Sequence, residues 1–264
     1  MKRTRAAWLD PLREALDDAP EPVVCFVRDD DVGWRPDRLG DLLDLVGELG
    51  LPVDLAVIPA ALEERTAREL AERIERSGGR LGVHQHGYAH VNHEPSGERK
   101  CEFGKARPRE AQLHDIATGR ERLGLLLGPA VEPIFTPPWN RCTEATGSCL
   151  AELGFEILSR EASAAPLDAT GLRELPVSVD LLKRRNGARL PVERIAEIAA
   201  TAVRRGGPVG VMLHHAEMDR REMEAAADLL KTLAGHDRAR CVRMRAMTAS
   251  GEPPRRSGRI PRQG

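Results

Sequence analysis

The sequence predicts a parallel α/β barrel of a single domain, and three observations carry that reading. Short β-branched apolar runs alternate with longer stretches whose apolar residues recur every three or four positions. Strand, helix, strand in that order implies right-handed crossovers and hence a parallel sheet. Six or more such units within 264 residues favour a barrel or distorted barrel over an open sheet, since α/β barrels run to about 200–250 residues as one unit.

The elements follow in order. In residues 1–20, Trp8, Leu12 and Leu16 share a helical face, which predicts an amphipathic N-terminal extension capping the domain. The barrel is expected over residues 21–249. Its strands are read at 23–27 (VVCFV), 53–58 (VDLAVI), 81–85 (LGVHQ), 132–135 (EPIF), 175–179 (LPVSV) and 209–213 (VGVML), each bounded by Pro, Gly or charge. Helical stripes run through Leu39, Leu42, Leu43, Val46 and Leu49, then through Leu62, Ala67, Leu70 and Ile74. Others run through Leu113, Ile116, Leu123 and Leu126, through Ile195, Ile198, Ala199 and Ala202, and through Met223, Ala226, Leu229, Leu230 and Leu233. Residues 91–109 are polar and glycine-containing, a long loop leaving a strand end; such loops are more often functional than idle. Within it Lys100, Glu102 and Lys105 read as a solvated charged face, with substrate contact as the alternative. The Pro-, Gly- and Arg-rich stretch 250–264 reads as a disordered basic tail.

Composition removes several function classes. Forty basic residues against forty-one acidic ones leave a net charge of −1, so no overall field draws nucleic acid or an anionic membrane. The five cysteines are scattered, with no C-x-x-C pair, which argues against a disulfide framework and a zinc knuckle. No apolar run has the length of a secretory signal or a membrane span, so a cytoplasmic protein is expected. Oligomeric state leaves no sequence signal.

The chemistry concentrates at three strand ends, the edge where parallel α/β folds build their sites. Asp29, Asp30 and Asp31 follow the first strand. His84, His86, His90 and His93 follow the third, and His214 and His215 the last. His86 and His90, four apart, face the same way in a helical or tightly turned segment. Two neutral imidazoles and one carboxylate, with open positions for water and substrate, form a common hydrolytic metal site. Three adjacent carboxylates repel one another, and a divalent cation resolves that for one while leaving a neighbour free to take a proton. A histidine at the tip of the last strand is a candidate general acid. After the fourth strand, FTPPWN holds a loop stiff with Pro137 and Pro138, so that a backbone N–H can face a developing oxyanion while Trp139 forms an apolar wall.

Acidic pair, H-x-x-x-H, proline-rich loop and late Leu-His, in that order over residues 23–215, resemble the polysaccharide deacetylases (carbohydrate esterase family four). The resemblance implies a distorted (β/α) barrel of seven or eight strands and a metal-dependent hydrolase that removes an acetyl group from an N-acetylated sugar or similar small amide. It implies Asp30 as base and Asp31, His86 and His90 as metal ligands, with the Asp29–Asp30 register open because the triplet is degenerate. The metal is most simply Zn2+, with Co2+, Ni2+ or Mn2+ as alternatives. The Trp139 N–H would stabilise the oxyanion, and His214 would be the acid, with His215 as its competitor. Pro137, Pro138, Trp139, Asn140, His84 and Asp29 are the expected substrate-side residues. The chain departs from the family pattern in three places. Thr136 stands where an arginine usually opens the proline loop and orients the base, leaving Arg28 or Arg141 as replacements. Asp180 is the best match to the acid-tuning motif, without its tryptophan, and Val32 replaces a small residue after the acidic pair. An amide hydrolase acting on a non-sugar substrate and a non-catalytic sugar-binding relative are the alternative functions.

Overall fold

The structure, a computed structural model, describes residues 6–167 and 171–247. The expected tail at 250–264 lies outside the described residues. The strands are β1 (Val23–Val32), β2 (Val53–Val57), β3 (Leu81–His86), β4 (Val131–Thr136), β5 (Ile157–Leu158), β6 (Arg173–Glu174), β7 (Val179–Asp180), β8 (Arg184–Arg185), β9 (Ala188–Arg189), β10 (Val209–Leu213) and β11 (Ala239–Cys241). The helices are α1 (Asp10–Asp17), α2 (Pro36–Leu49), α3 (Glu64–Arg76), α4 (Arg109–Leu127), α5 (Glu144–Glu152), α6 (Val192–Arg205) and α7 (Arg220–Gly235).

The main sheet runs β6-β5-β4-β3-β2-β1-β10-β7, and every pairing along it is parallel. Its two ends belong to one stretch of chain. The amides of Leu175 and Val177 donate to Leu158 and Arg160 carbonyls on one side (2.9 and 2.8 Å), and the Ser178 amide donates to the Gly210 carbonyl on the other (2.9 Å). The segment from β6 to β7 therefore borders both β5 and β10 and closes the sheet. Seven positions surround the barrel because that segment fills one place. β8 and β9 form a separate antiparallel hairpin turned by Asn186 and Gly187.

Alternation along β1 sorts its side chains. Cys25 and Val27 join the large cluster between sheet and helices, with Leu42, Val46, Leu229 and Leu230. Phe26 instead joins Ile134, Ile157, Leu175, Val177 and Met212 inside the barrel. Arg28 and Asp30 continue that inner row, and both are buried. β1 runs five residues beyond the predicted 23–27. Three aspartates read poorly as a strand, and here the flanking β10 and β2 impose the extended form.

Three elements have weak sequence signals. β5 has two residues, β11 three, and α5 carries no long apolar stripe; α5 starts instead at a capping box of Thr143 and Thr146. The N-terminal helix packs closely on the barrel: Leu9, Leu12 and Leu16 of this region are buried in the main cluster, where α1 meets α6.

β11 pairs with the start of β1 and delivers Arg243 to the barrel's lower end. The Arg243 guanidinium bonds Asp54 Oδ1 at 2.7 Å and pairs with Glu132 at 2.8 Å, while the Met244 amide donates to Asp54 Oδ2. Gly82 makes the room, since a Cβ there would lie 1.4 Å from Arg243 Nη2. Asp54 has no solvent exposure. Replacing Arg243 with Met strips that carboxylate of its cation, and urea unfolding should give a stability lower by about 3–5 kcal/mol.

Candidate active site

The three aspartates of β1 point to three different places. The strand's register with β2 shifts between Asp29 and Val32, and Asp31 takes a positive φ of 69°. This bulge re-aims the last aspartate, as bulges at barrel rims do. Without it Asp31 would follow Asp29 outward toward the helices. It reaches over the rim instead.

There Asp31 Oδ1 lies 3.2 Å from His86 Nε2 and 3.2 Å from His90 Nε2. His86 is the last residue of β3, with its ring on the same face as His84. His90 follows in a turn that is not helical. Gly87 at φ 57° reverses the chain, and His90 itself has φ 57°. Glu102, from the long loop, is buried and accepts the Tyr88 and Ala89 amides at 3.2 and 2.7 Å. Gly87 is required at this crossing: a Cβ would stand 2.2 Å from Glu102 Oε2 and 2.5 Å from Pro138. Glu102 thus serves neither as a solvated charge nor as a substrate contact, the two roles its sequence suggests. It fastens the turn that presents His90.

These three side chains suit a divalent cation. Their ligand atoms lie within 4.8 Å of one another. Asp31 Oδ1 is buried and has no hydrogen-bond partner, and a carboxylate oxygen left so is costly without a cation. The Thr136 carbonyl lies 3.0 Å from His86 Nδ1, so that nitrogen carries the proton and Nε2 keeps its lone pair. Two ligands held at about 2.0–2.2 Å around a tetrahedral ion stand about as far apart as the Asp31 oxygen and each imidazole nitrogen do here.

Asp30 points inward. Arg28, two residues earlier on the same face, grips both its oxygens, with Nε to Oδ1 at 2.7 Å and Nη2 to Oδ2 at 2.9 Å. The guanidinium is fully buried and also donates to the Ser159 carbonyl and hydroxyl and to Asn140 Oδ1, with Met212 Sδ against it. Burial alone would raise the Asp30 carboxyl, but the charge of Arg28, the largest opposing influence, holds it below its ordinary value. The choice between Arg28 and Arg141 is thereby decided by geometry: Arg141 turns away and donates to the Lys100 carbonyl. Thr136, at the position of the missing arginine, bonds His84 through its hydroxyl at 2.9 Å.

His214 faces Asp30 across the site, its Nε2 3.9 Å from Asp30 Oδ2, and it keeps 19% side-chain exposure. Trp139 lies 4.4 Å from the His90 ring and Trp34 flanks the other side at 4.9 Å. Trp139 adopts φ 55°, and its amide N–H meets no acceptor among the described residues.

Several expected contacts are corrected. Asp29 and His215 are wholly buried outside the site and bonded to each other, Nδ1 to Oδ2 at 2.5 Å, so neither reaches substrate and His215 is not an available acid. His84 has no exposure and lies beneath the site; burial and the Arg28 charge hold its pKa well below the ordinary value. Asn140 is occupied by Arg28 and Met212. Pro137 and Pro138 are buried, and Pro138 packs on Gly87. Of the six substrate-side candidates, Trp139 alone remains partly open.

No family model matches the sequence, nor does any curated protein sequence. Solved structures match in shape. A Mycobacterium smegmatis protein assigned as a polysaccharide deacetylase superposes at a TM-score of 0.63 and 19% identity, covering 92% of this chain and 96% of its own. The fold is that of the polysaccharide deacetylases. A family 4 acetyl xylan esterase from Clostridium thermocellum, solved with a cobalt ion, shares it at 0.56 and 14% identity, covering 86% of this chain and 90% of that one. A pseudoenzyme of the same esterase family from Bacillus anthracis shares it at 0.53 and 11% identity, covering 86% and 66%. Within this deacetylase fold, no helix among the described residues is long and apolar enough to cross a membrane.

Two expectations follow. Glu102→Ala should free the 87–90 turn and weaken divalent-metal affinity by about 10–100-fold, as loss of a supporting partner does, measured by competition with a chromophoric chelator. His215 has an acceptor at each ring nitrogen, Asp29 at Nδ1 and the Trp34 carbonyl at Nε2, which requires both protons. Burial opposes that charge, but Asp29 outweighs it and the pKa is raised. The pair's stability is therefore complete below the ordinary histidine value of about 6.5 and is lost as pH climbs through the raised value. Urea unfolding across that range should show a decline that Asp29→Asn flattens.

Proposed function

We propose that the chain is a divalent-metal-dependent hydrolase that removes an acetyl group from an N-acetylated sugar or a similar small amide, with zinc as the simplest metal. One observation carries the reading: an Asp-His-His cluster suited to a cation lies beside an ionised aspartate, Asp30, whose Oδ2 is 3.9 Å from His214 Nε2.

Asp31, His86 and His90 would hold the ion. A bound divalent cation supplies Lewis-acid chemistry, polarising a carbonyl and acidifying water. Asp30 takes the proton of the attacking water, and its low pKa keeps it ready as a base. Arg28 neutralises Asp30 and fixes its orientation, replacing the family's loop arginine from a different strand. The unpartnered Trp139 amide donates to the oxyanion as the carbonyl carbon becomes tetrahedral. His214 gives a proton to the departing nitrogen as the C–N bond breaks, which leaves acetate and a free amine. The two tryptophans either side of His90 give the acyl end an apolar, water-poor wall. The buried Arg28–Asp30 pair also counts against the non-catalytic reading, because it restores the interaction that Thr136 removes.

The test is release of acetate from acetylated amino sugars, with and without chelator. Activity should vanish on chelation and return with zinc or cobalt. Asp30→Asn should lower kcat by about 10²–10⁴ while elemental analysis still finds one metal per chain; His86→Ala should lose the metal itself. Full activity in metal-free protein, or full metal stoichiometry in His86→Ala, would overturn the assignment.

A further inference from the structure

The charges around the site opening are distributed unevenly. On the Trp34 side, Arg35 and Arg38 are both engaged. Arg35 pairs with Asp37 at 2.7 Å, and Arg38 donates to the Ala216 and Met218 carbonyls. On the Trp139 side three cations have no carboxylate within ion-pair distance among the described residues: Arg99, Lys100 and Arg141. Lys100 holds its ammonium 6.0 Å from the centre of the Trp139 ring, whose other neighbour is His90. One aromatic ring therefore neighbours both this ammonium and a histidine of the candidate metal cluster.

The arrangement is built. The long loop and the segment after the proline turn run side by side, with Phe103 bridged to Cys142. Arg141 Nη1 braces the Lys100 carbonyl at 2.8 Å, and Cys101 Sγ lies 3.3 Å from the Arg141 carbonyl. Arg141 Nε is buried without a partner. Burial, then the like charge of Arg99, hold the Arg141 guanidinium below its ordinary value, with Glu161 opposing. Of the other acids on the loop, Glu98 makes no ion pair with these three cations among the described residues, and two are engaged elsewhere. Glu102 caps the 87–90 turn, and Glu94 accepts the Ala106 amide. Keeping cations together without counter-ions costs energy, and an anion completes the set.

We propose that Arg99, Lys100 and Arg141 form a subsite for an anionic group of the substrate, so that the preferred acyl-amide carries a carboxylate, sulfate or phosphate in addition to its acetamido group. This rests on the acetamide-hydrolase reading and adds a substrate class to it. Trp139 divides the opening, with the acetyl carbon on the His90 face and the anion on the Lys100 face.

Three probes share one acetamide: N-acetylglucosamine, its 6-phosphate and its uronic acid. With metal-loaded protein at low salt, kcat/KM for either anion should exceed that for the neutral sugar by about tenfold, mostly through KM. The ratio should collapse toward unity in about 1 M salt, where charges are screened beyond about 3 Å. It should also fall to unity or below in Arg99→Glu/Lys100→Glu, a change confined to exposed side chains. Because the ratio is taken within each protein, general damage cancels. A ratio near one in the parent chain, or one the double variant does not move, overturns the proposal. If no probe is hydrolysed, the hydrolase reading fails and calorimetric binding decides the subsite. Tighter binding of the anions, lost in the double variant, supports it; equal binding or none overturns it.

Discussion

Three consecutive carboxylates at a buried strand end constrain everything else in this molecule. Two like charges about 4 Å apart repel by about 4 kcal/mol near a protein surface and more in its interior, so Asp29, Asp30 and Asp31 cannot share one environment as anions. The bulge in β1 separates them, and each meets different partners. Asp29 turns to the helix side and takes a doubly protonated His215. Asp30 turns into the barrel and takes Arg28. Asp31 goes over the rim to two imidazoles, where one oxygen remains without a hydrogen-bond partner. The first pair belongs to the fold and the second joins fold to chemistry. The third is a candidate site for a cation.

Backbone strain marks the same place. Asp31, His90, Trp139 and Asn140 all have positive φ without being glycine, a state that costs of order 1–3 kcal/mol each and persists only where surroundings over-determine it. Those surroundings are visible: Glu102 under the 87–90 turn, Pro138 wedged on Gly87, and Asn140 bound to Arg28. Because Asn140 and Asp30 share the Arg28 guanidinium, the proline loop and the first strand cannot shift independently. The Trp139 amide and the Asp30 carboxylate are thereby held in fixed relation.

Much of this was legible in the sequence. The βα alternation gave the barrel, because buried parallel strands and amphipathic helices have different apolar periods. Residue types and strand-end positions pointed to His86, His90 and one aspartate of the first strand; that the aspartate is Asp31 came only with the family resemblance. What the sequence could not carry was orientation. Parity along β1 places Arg28 beside Asp30, but only the bulge sends Asp31 away from Asp29, and no residue type announces it. His214 and His215 are adjacent and alike; β10 ends with one at the opening and the other beneath Trp34. Glu102 looks like any loop carboxylate until two backbone amides are seen to converge on it. The short β5 and β11 lack the length that a periodic signal needs, and their pairing is imposed by neighbouring strands.

The central claim is that Asp31, His86 and His90 share one divalent ion. Crystals of the chain grown with zinc, measured on both sides of the zinc absorption edge, test it directly. The account predicts a single strong anomalous peak about 2.0–2.2 Å from Asp31 Oδ1, His86 Nε2 and His90 Nε2. A well-ordered site without that peak, or a peak bound elsewhere while these three side chains contact only one another and water, would contradict it.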